Sequence, residues 1–381
     1  MRRLAVTVGM LVVFGAGVGL SACGKKANPP GGAGGLGAGP AASQSGGPDG
    51  TGGLGTGPTA GPSGPASAGP GPRLLASKAG YVWGSDPTSP SYVAVGEYRY
   101  NSSGGPVSVS RQGTGSYRVT FAGLGDPGGV AHATAYGANA NFCAVVRWNP
   151  SGADETVEVK CWDRGTAEVD TMFVANFAVG SQAGAALSYL WADGGNRTGR
   201  YTPNDQYRYD TTGQAAWIER AGAGHYKVFV PVSKGLTGDP STFQVTSYGA
   251  ATFRCKLSRV SIATGVHEVV CHDAVGTPYD SKFALTFSSQ GSVLGRTDKR
   301  YGEYTDASAG TTNPATGVYV VPARELGQAR GQVVAYATRD SSTYCHVGRW
   351  YVSGADLSME VRCFDSGGNP AAAQFMVGVT W

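Results

Sequence analysis

Six cysteines fall into three pairs, Cys143 and Cys161, Cys255 and Cys271, and Cys345 and Cys363, spaced 18, 16 and 18 residues apart. Thiols so placed either ligate a metal or oxidise to disulfides. Structural zinc calls for closely spaced cysteines with helper histidines. No CxxC occurs, and His132, His225, His267, His272 and His346 do not recur at one place relative to the pairs. His267 and His272 flank Cys271, yet five apart on a strand they point to opposite faces. Disulfides are therefore expected at all three pairs, and no metal. Acids recur as well: Asp163, Asp273 and Asp365 each lie two residues after the second cysteine, just before a glycine. An aspartate there closes a turn on backbone N–H groups. Calcium binding or acid catalysis would need a partner carboxylate, and none recurs beside them. Asp170 and Asp280 recur nine residues after the second cysteine, where the third copy has Ala372. With no nucleophile elbow, HExxH helix or phosphate loop, the chain reads as a non-enzyme without a cofactor.

Aromatic residues are the remaining candidates. Tyr98-Arg99-Tyr100 and Tyr207-Arg208-Tyr209 repeat, with Trp83 and Trp191 ahead of them. On a strand, tyrosines at i and i+2 share one side, and a row of flat rings can stack on sugar faces. The same rings can equally pack a core. The six residues Trp83, Tyr98, Tyr100, Trp191, Tyr207 and Tyr209 are the candidate ligand-binding set, and their weakening in the third copy leans towards function in the first two.

The elements that must position these residues repeat too. Gly115-Ser116-Tyr117, Gly224-His225-Tyr226 and Gly317-Val318-Tyr319 open apolar runs, and Phe173, Phe283 and Phe375 follow each second cysteine by twelve. Ala135-Tyr136-Gly137, Ser247-Tyr248-Gly249 and Ala335-Tyr336-Ala337 precede the first cysteines. Trp148 and Trp350 share a position where the middle copy has Val260. Three copies explain this, at 73–180, 181–290 and 291–381. Tyr117, Val119 and Phe121 alternate with Arg118 and Thr120, a two-faced strand. Short strands with frequent turn signals predict an all-β chain of tandem small antiparallel sandwiches or barrels, one disulfide each. Cys143 and Cys161 are symmetric about Gly152, as Cys345 and Cys363 are about Gly354, which places Ser151-Gly152 and Ser353-Gly354 at hairpin tips.

Ahead of the copies the chain is different. Arg2 and Arg3 precede an uncharged apolar run to Leu20, then Leu20-Ser21-Ala22-Cys23. This is the pattern of a secretory signal peptide over 1–22. The tetrapeptide resembles the lipobox of bacterial lipoproteins, which implies that Cys23 is lipidated and becomes the mature N-terminus. Two or three acyl chains would hold it firmly, at about 0.8 kcal/mol per buried CH₂. Residues 24–72 hold 18 of the 61 glycines and 9 of the 21 prolines, with no aromatic. Too little apolar area remains to offset chain entropy, so 23–72 reads as a lipidated cysteine and a disordered tether. Arg2, Arg3, Lys25, Lys26 and Asp49 all lie before Arg73, so 26 basic and 25 acidic residues remain in the folded part. That near-neutral balance gives no footprint for nucleic acid, and the GxG patterns of the tether are composition rather than nucleotide loops.

The copies together, with a Tyr-x-Trp start, a Gly-x-Tyr-x-Val-x-Phe strand, Thr-Ala-Tyr-Gly, and then Cys, Trp and Cys-x-Asp, resemble exported β-repeats of high-GC bacteria that are mostly uncharacterised. The resemblance covers about residues 80–381 and implies an exported location, with no activity. The expectation is an exported protein, lipid-anchored to the outer face of the plasma membrane or to an outer membrane, that binds cell-wall or extracellular polysaccharide or an envelope protein. Two alternatives stay open: a glycan-directed hydrolase with acids drawn from different copies, and a ligand-free structural component of the envelope. An exposed aromatic row favours binding, two carboxyls in a cleft favour hydrolysis, and buried rings favour the structural role.

Overall fold

A computed structural model describes residues 78–180, 186–236, 241–289, 310–323 and 331–380. The signal peptide, Cys23, the tether and the expected boundaries near 180 and 290 lie outside the described residues or at their edges. The chain is all-β. The first copy runs β1 (Lys78–Gly84), β2 (Ser91–Val93), β3 (Arg99–Asn101), β4 (Val107–Gly113), β5 (Ser116–Phe121), β6 (Val130–Ala135), β7 (Phe142–Ser151), β8 (Asp154–Trp162) and β9 (Phe173–Val179). The second runs β10 (Leu187–Ala192), β11 (Arg200–Tyr201), β12 (Arg208–Asp210), β13 (Trp217–Gly222), β14 (His225–Phe229), β15 (Ser241–Tyr248), β16 (Arg254–Arg259), β17 (Val266–His272) and β18 (Lys282–Ser289). The third has β19 (Thr312–Ala315), β20 (Val318–Ala323), β21 (Gln332–Ala337), β22 (Tyr344–Ser353), β23 (Asp356–Phe364) and β24 (Phe375–Thr380).

Each copy is two antiparallel sheets. In the first, β3-β1-β9-β6 faces β7-β8-β5-β4-β2; in the second, β12-β10-β18-β15 faces β11-β13-β14-β17-β16; in the third, β21-β24 faces β19-β20-β23-β22. A parallel bridge between β15 and β7 joins two of these layers into one sheet of nine strands across the first two copies. The apolar faces of both layers meet, so Val82 and Phe177 of one sheet share a core with Val119, Val157 and Val159 of the other. The recurring tyrosine and phenylalanine are the centre of each core. Tyr117, Tyr226 and Tyr319 are fully buried, 4.9, 5.2 and 4.8 Å from Phe173, Phe283 and Phe375. Their hydroxyls accept from the backbone of Thr171, Ser281 and Ala373, which satisfies the buried oxygen and fixes the loop before the last strand. The glycine two residues earlier is also explained. Gly115, Gly224 and Gly317 sit at φ of 63, 66 and 69°, and a Cβ there would come within 2.5 Å of a cysteine carbonyl.

The disulfides Cys143–Cys161, Cys255–Cys271 and Cys345–Cys363 join directly opposed residues, with Cα atoms 4.0–4.1 Å apart. Three such bonds mark a chain that matures in an oxidising compartment. Symmetry about Gly152 holds for the cysteines but not to the tip. A bulge between Val145 and Arg147 shifts the register, so Ser151 pairs with Asp154 around a two-residue turn at Gly152-Ala153, and the same shift falls between Val347 and Arg349. Among the described residues, no helix is long and apolar enough to cross a membrane.

One alignment made from the sequence is corrected. Ala135, Ser247 and Ala337 are the residues paired with Phe173, Phe283 and Phe375. The counterpart of Tyr136 and Tyr248 is therefore Thr338, and Tyr336 matches Thr134 and Thr246. The backbone agrees, because Gly137, Gly249 and Arg339 all have positive φ, of 127, 116 and 73°.

Glu155 on β8 is fully buried; its Oε2 accepts from the Asp126 N–H while Oε1 has no hydrogen-bond partner among the described residues. Burial pushes its pKa up to about 8. The third copy has Leu357 at this place. Glu155→Leu is expected to raise stability by about 1–2 kcal/mol at pH 8.5, where the acid is ionised, since an apolar group replaces a buried charge. The raised pKa favours the folded state below about pH 8, so the gain should shrink towards pH 5. Thermal melts of the two proteins at both pH values check this.

Candidate functional site

The candidate aromatic residues do not form an exposed row. Tyr98 ends a short 3₁₀ turn, Gly96–Tyr98, while Tyr100 lies on β3, so the two do not share a strand face. Trp83 and Tyr98 instead reach across to the third copy, where with Tyr136 they surround Trp350 at ring distances of 5.2–6.0 Å. Trp191, Tyr207 and Tyr248 of the second copy surround Trp148 of the first in the same way, at 4.8–6.1 Å. These rings, each half-buried apart from Trp148 and Trp350, which are buried, pack on one another across the joints. Tyr100 and Tyr209 stack on Tyr81 and Tyr189 at 5.8 and 5.6 Å. Tyr100 is exposed and Tyr209 half-buried.

Backbone bonds run beside each aromatic joint. The Gly137 N–H donates to the Val347 carbonyl and the Gly249 N–H to the Val145 carbonyl, each at a short parallel bridge between copies. The third joint is different in kind. Val260 stands where Trp148 and Trp350 do, Thr338 stands where the tyrosines do, and Tyr336 of the third copy enters the core of the second. Val260 and Tyr336 both pack on the core of the second copy, so the third copy meets the second there without a tryptophan.

The recurring acids serve turns. Asp163 accepts from the N–H groups of Gly165 and Ala167 at 2.8 and 2.9 Å, and Asp273 accepts from Val275 and Thr277 at 3.1 and 2.8 Å. Asp365 accepts from Asn369 at 2.8 Å. Asp170 takes the Arg111 guanidinium on both oxygens, at 3.0 and 2.9 Å, together with the Gly115 N–H. Asp280 holds Arg220 and Gly224 similarly. Among the described residues, no group of histidine, cysteine and acid side chains could hold a metal ion.

Where the three copies meet lies a cavity of about 90 Å³, lined by residues of all of them. Its core end is polar. The Asn176 amide N–H donates to Gln244 Oε1 at 3.0 Å and to Gln332 Oε1 at 3.2 Å, while His132 bridges Thr246 and Thr286 at 3.1 and 2.7 Å. Its other end is set by the residues next to the cysteines. Copies one and three place rings there: Phe142 stacks on Trp162, and Tyr344 packs against Phe364. The second copy has Arg254 and His272 in these places, and Lys256 in place of Ala144 and His346. Arg254 lies between Phe142 and Tyr344, 4.9 and 4.2 Å from the ring centres, and gives one nitrogen to the Asp273 and Ala274 carbonyls. The Lys256 ammonium donates to Ser341 Oγ and the Thr343 carbonyl, across to the third copy. Burial pulls Lys256 down to about 7 and His272 to about 4, so His272 is neutral at neutral pH.

Nothing in the candidate set pointed to this place. The signal was present in the flanks of the cysteines: Phe142-Cys143-Ala144 and Tyr344-Cys345-His346 against Arg254-Cys255-Lys256. Reading the copies for what recurs hides the position at which one copy turns cationic. Compared with family models, curated proteins and solved structures, the chain matches none of them.

Proposed function

We propose that this is an exported, lipid-anchored protein that binds polysaccharide or an envelope protein without catalysing a reaction, and that its three copies act as one binding unit. The observation that carries the reading is the shared cavity, to which every copy contributes and one copy contributes Arg254 and Lys256. Binding at a concave site with a few placed polar groups is the usual arrangement for small ligands and ligand ends. The lipobox at Cys23 and the disulfides support a location outside the cytoplasm.

The aromatic rings favour a second reading, a structural component with no ligand, because they serve the joints. Retention separates the two. The oxidised full-length protein, in detergent, is expected to be retained on purified cell walls or on one of a panel of insoluble polysaccharides. A protein retained on none of them supports the structural role.

A further inference from the structure

The cavity carries more polar capacity than its own residues use. Asn176 Oδ1 and Gln244 Nε2 are buried, on side chains only 1% and 3% exposed, and have no hydrogen-bond partner among the described residues. Arg254 Nε and Nη1 also have no hydrogen-bond partner within 3.5 Å among the described residues, the guanidinium's neighbours there being the Phe142 and Tyr344 rings. Buried polar atoms in native proteins are almost always satisfied, so the orphan donors Gln244 Nε2, Arg254 Nε and Arg254 Nη1 around one space mark a place for a guest that accepts hydrogen bonds. Packing alone does not account for Arg254, since the other two copies close the same place with rings, and a buried cation costs more than an apolar side chain of similar size.

The sign of the charge indicates which guest. Arg254 and Lys256 line the space, and among the described residues no aspartate or glutamate does. Of the nearby carboxylates, Asp273 and Asp365 are occupied by their own turns, and Asp340, which acts on Lys256 and His272 from outside the cavity, is mostly exposed and lies 4.0 Å from His225 Nε2. A space of about 90 Å³ is well above the roughly 10–15 Å³ that one buried water needs, and it admits a carboxylate group. Partly exposed Phe253, Ser342 and Thr343 line the same space and bring it to the surface.

We propose that the cavity binds a carboxylate, with Arg254 as its charge partner and Gln244 donating at the inner end. The carboxylate belongs either to a small organic acid or to an acidic sugar residue of a polymer. The proposal rests on the binding reading above and names the ligand class of that site.

Titration calorimetry of the oxidised full-length protein in detergent, with acetate and glucuronate against acetamide and glucose as probes, tests it. The acids are expected to bind at least tenfold more tightly than their neutral counterparts. Glucuronate alone would identify an acidic sugar, and acetate alone a small acid. Arg254→Gln is expected to weaken the acids by about ten- to a hundredfold, the range for losing a hydrogen bond to a charged group, and Gln244→Ala to weaken them less. If Arg254→Gln does not fold, the comparison of acid with neutral probe on the unaltered protein decides. Equal binding of glucose and glucuronate, or no binding of either acid, overturns the proposal. Retention on a polymer that neither acid displaces overturns the carboxylate and leaves the binding reading standing. Absence of both retention and acid binding overturns the two together.

Discussion

Trp350→Ala is expected to destabilise the protein by about 3–5 kcal/mol, the usual cost of removing a large buried ring. In a body of this size that is a fall in melting temperature of about 5–8 °C. Trp350 is 7% exposed and touches three rings of the first copy, so its loss opens the joint as well as leaving a void. The effect should be specific to its own joint. Combining Trp350→Ala with Tyr98→Ala is expected to give a coupling energy of about 1 kcal/mol, the range for aromatic pairs in contact. Combining Tyr98→Ala with Trp148→Ala, across different joints, should be additive. Equal coupling in the two double mutants would mean that the rings do not hold the copies pairwise.

Acid is expected to unfold the protein well above the range in which carboxylates titrate. Burial holds His132 at about 3 and His267, His272 and His346 at about 4. Unfolded histidine takes a proton near 6.5. Between about pH 6.5 and 4 the unfolded chain therefore binds more protons, and stability falls as pH falls through that window. Glu155 opposes this, because its raised pKa means the folded state holds the extra proton between about 8 and its unfolded value. Near pH 5.5 four histidines against one glutamate leave a net uptake on unfolding of about three protons, a slope of roughly 4 kcal/mol per pH unit. Below that window Asp170 adds to the loss, since its bond to Arg111 depresses its pKa and is lost on protonation. Denaturant melts from pH 7.5 to 4 check the slope. A midpoint that stays level down to pH 4.5 would show that these histidines are hydrated rather than buried.

Much of the fold was legible because disulfide pairing and strand alternation are local. Cys143 and Cys161 are placed by a single hairpin, so their spacing alone predicted their opposition. The bulge at Val145–Arg147 was not legible, since nothing in that short run marks which residue is unpaired. The recurring aspartates read correctly as turn residues for the same local reason. The aromatic candidates were recognised as special but misplaced. Their partners, Trp148 and Trp350, lie in other copies, and contacts between copies leave no spacing to read. Tyr336 was aligned two residues out because a tyrosine two positions early looks like the same motif until strand pairing shows Thr338 in its place. Arg254 and Lys256 went unread because the copies were compared for what they share.

The central claim, that the ligand enters the shared cavity and not a ring-bearing surface, is tested most directly by retention of two variants beside the unaltered protein. One is Arg254→Gln, at the cavity; the other is Tyr100→Ala/Tyr209→Ala, which removes the least buried rings of the candidate set. On the wall or polymer that retains the unaltered protein, the double tyrosine variant is expected to be retained as well, while the Arg254 variant washes through. Loss of retention in the tyrosine variant with the Arg254 variant still bound would contradict the account and return the site to the aromatic face.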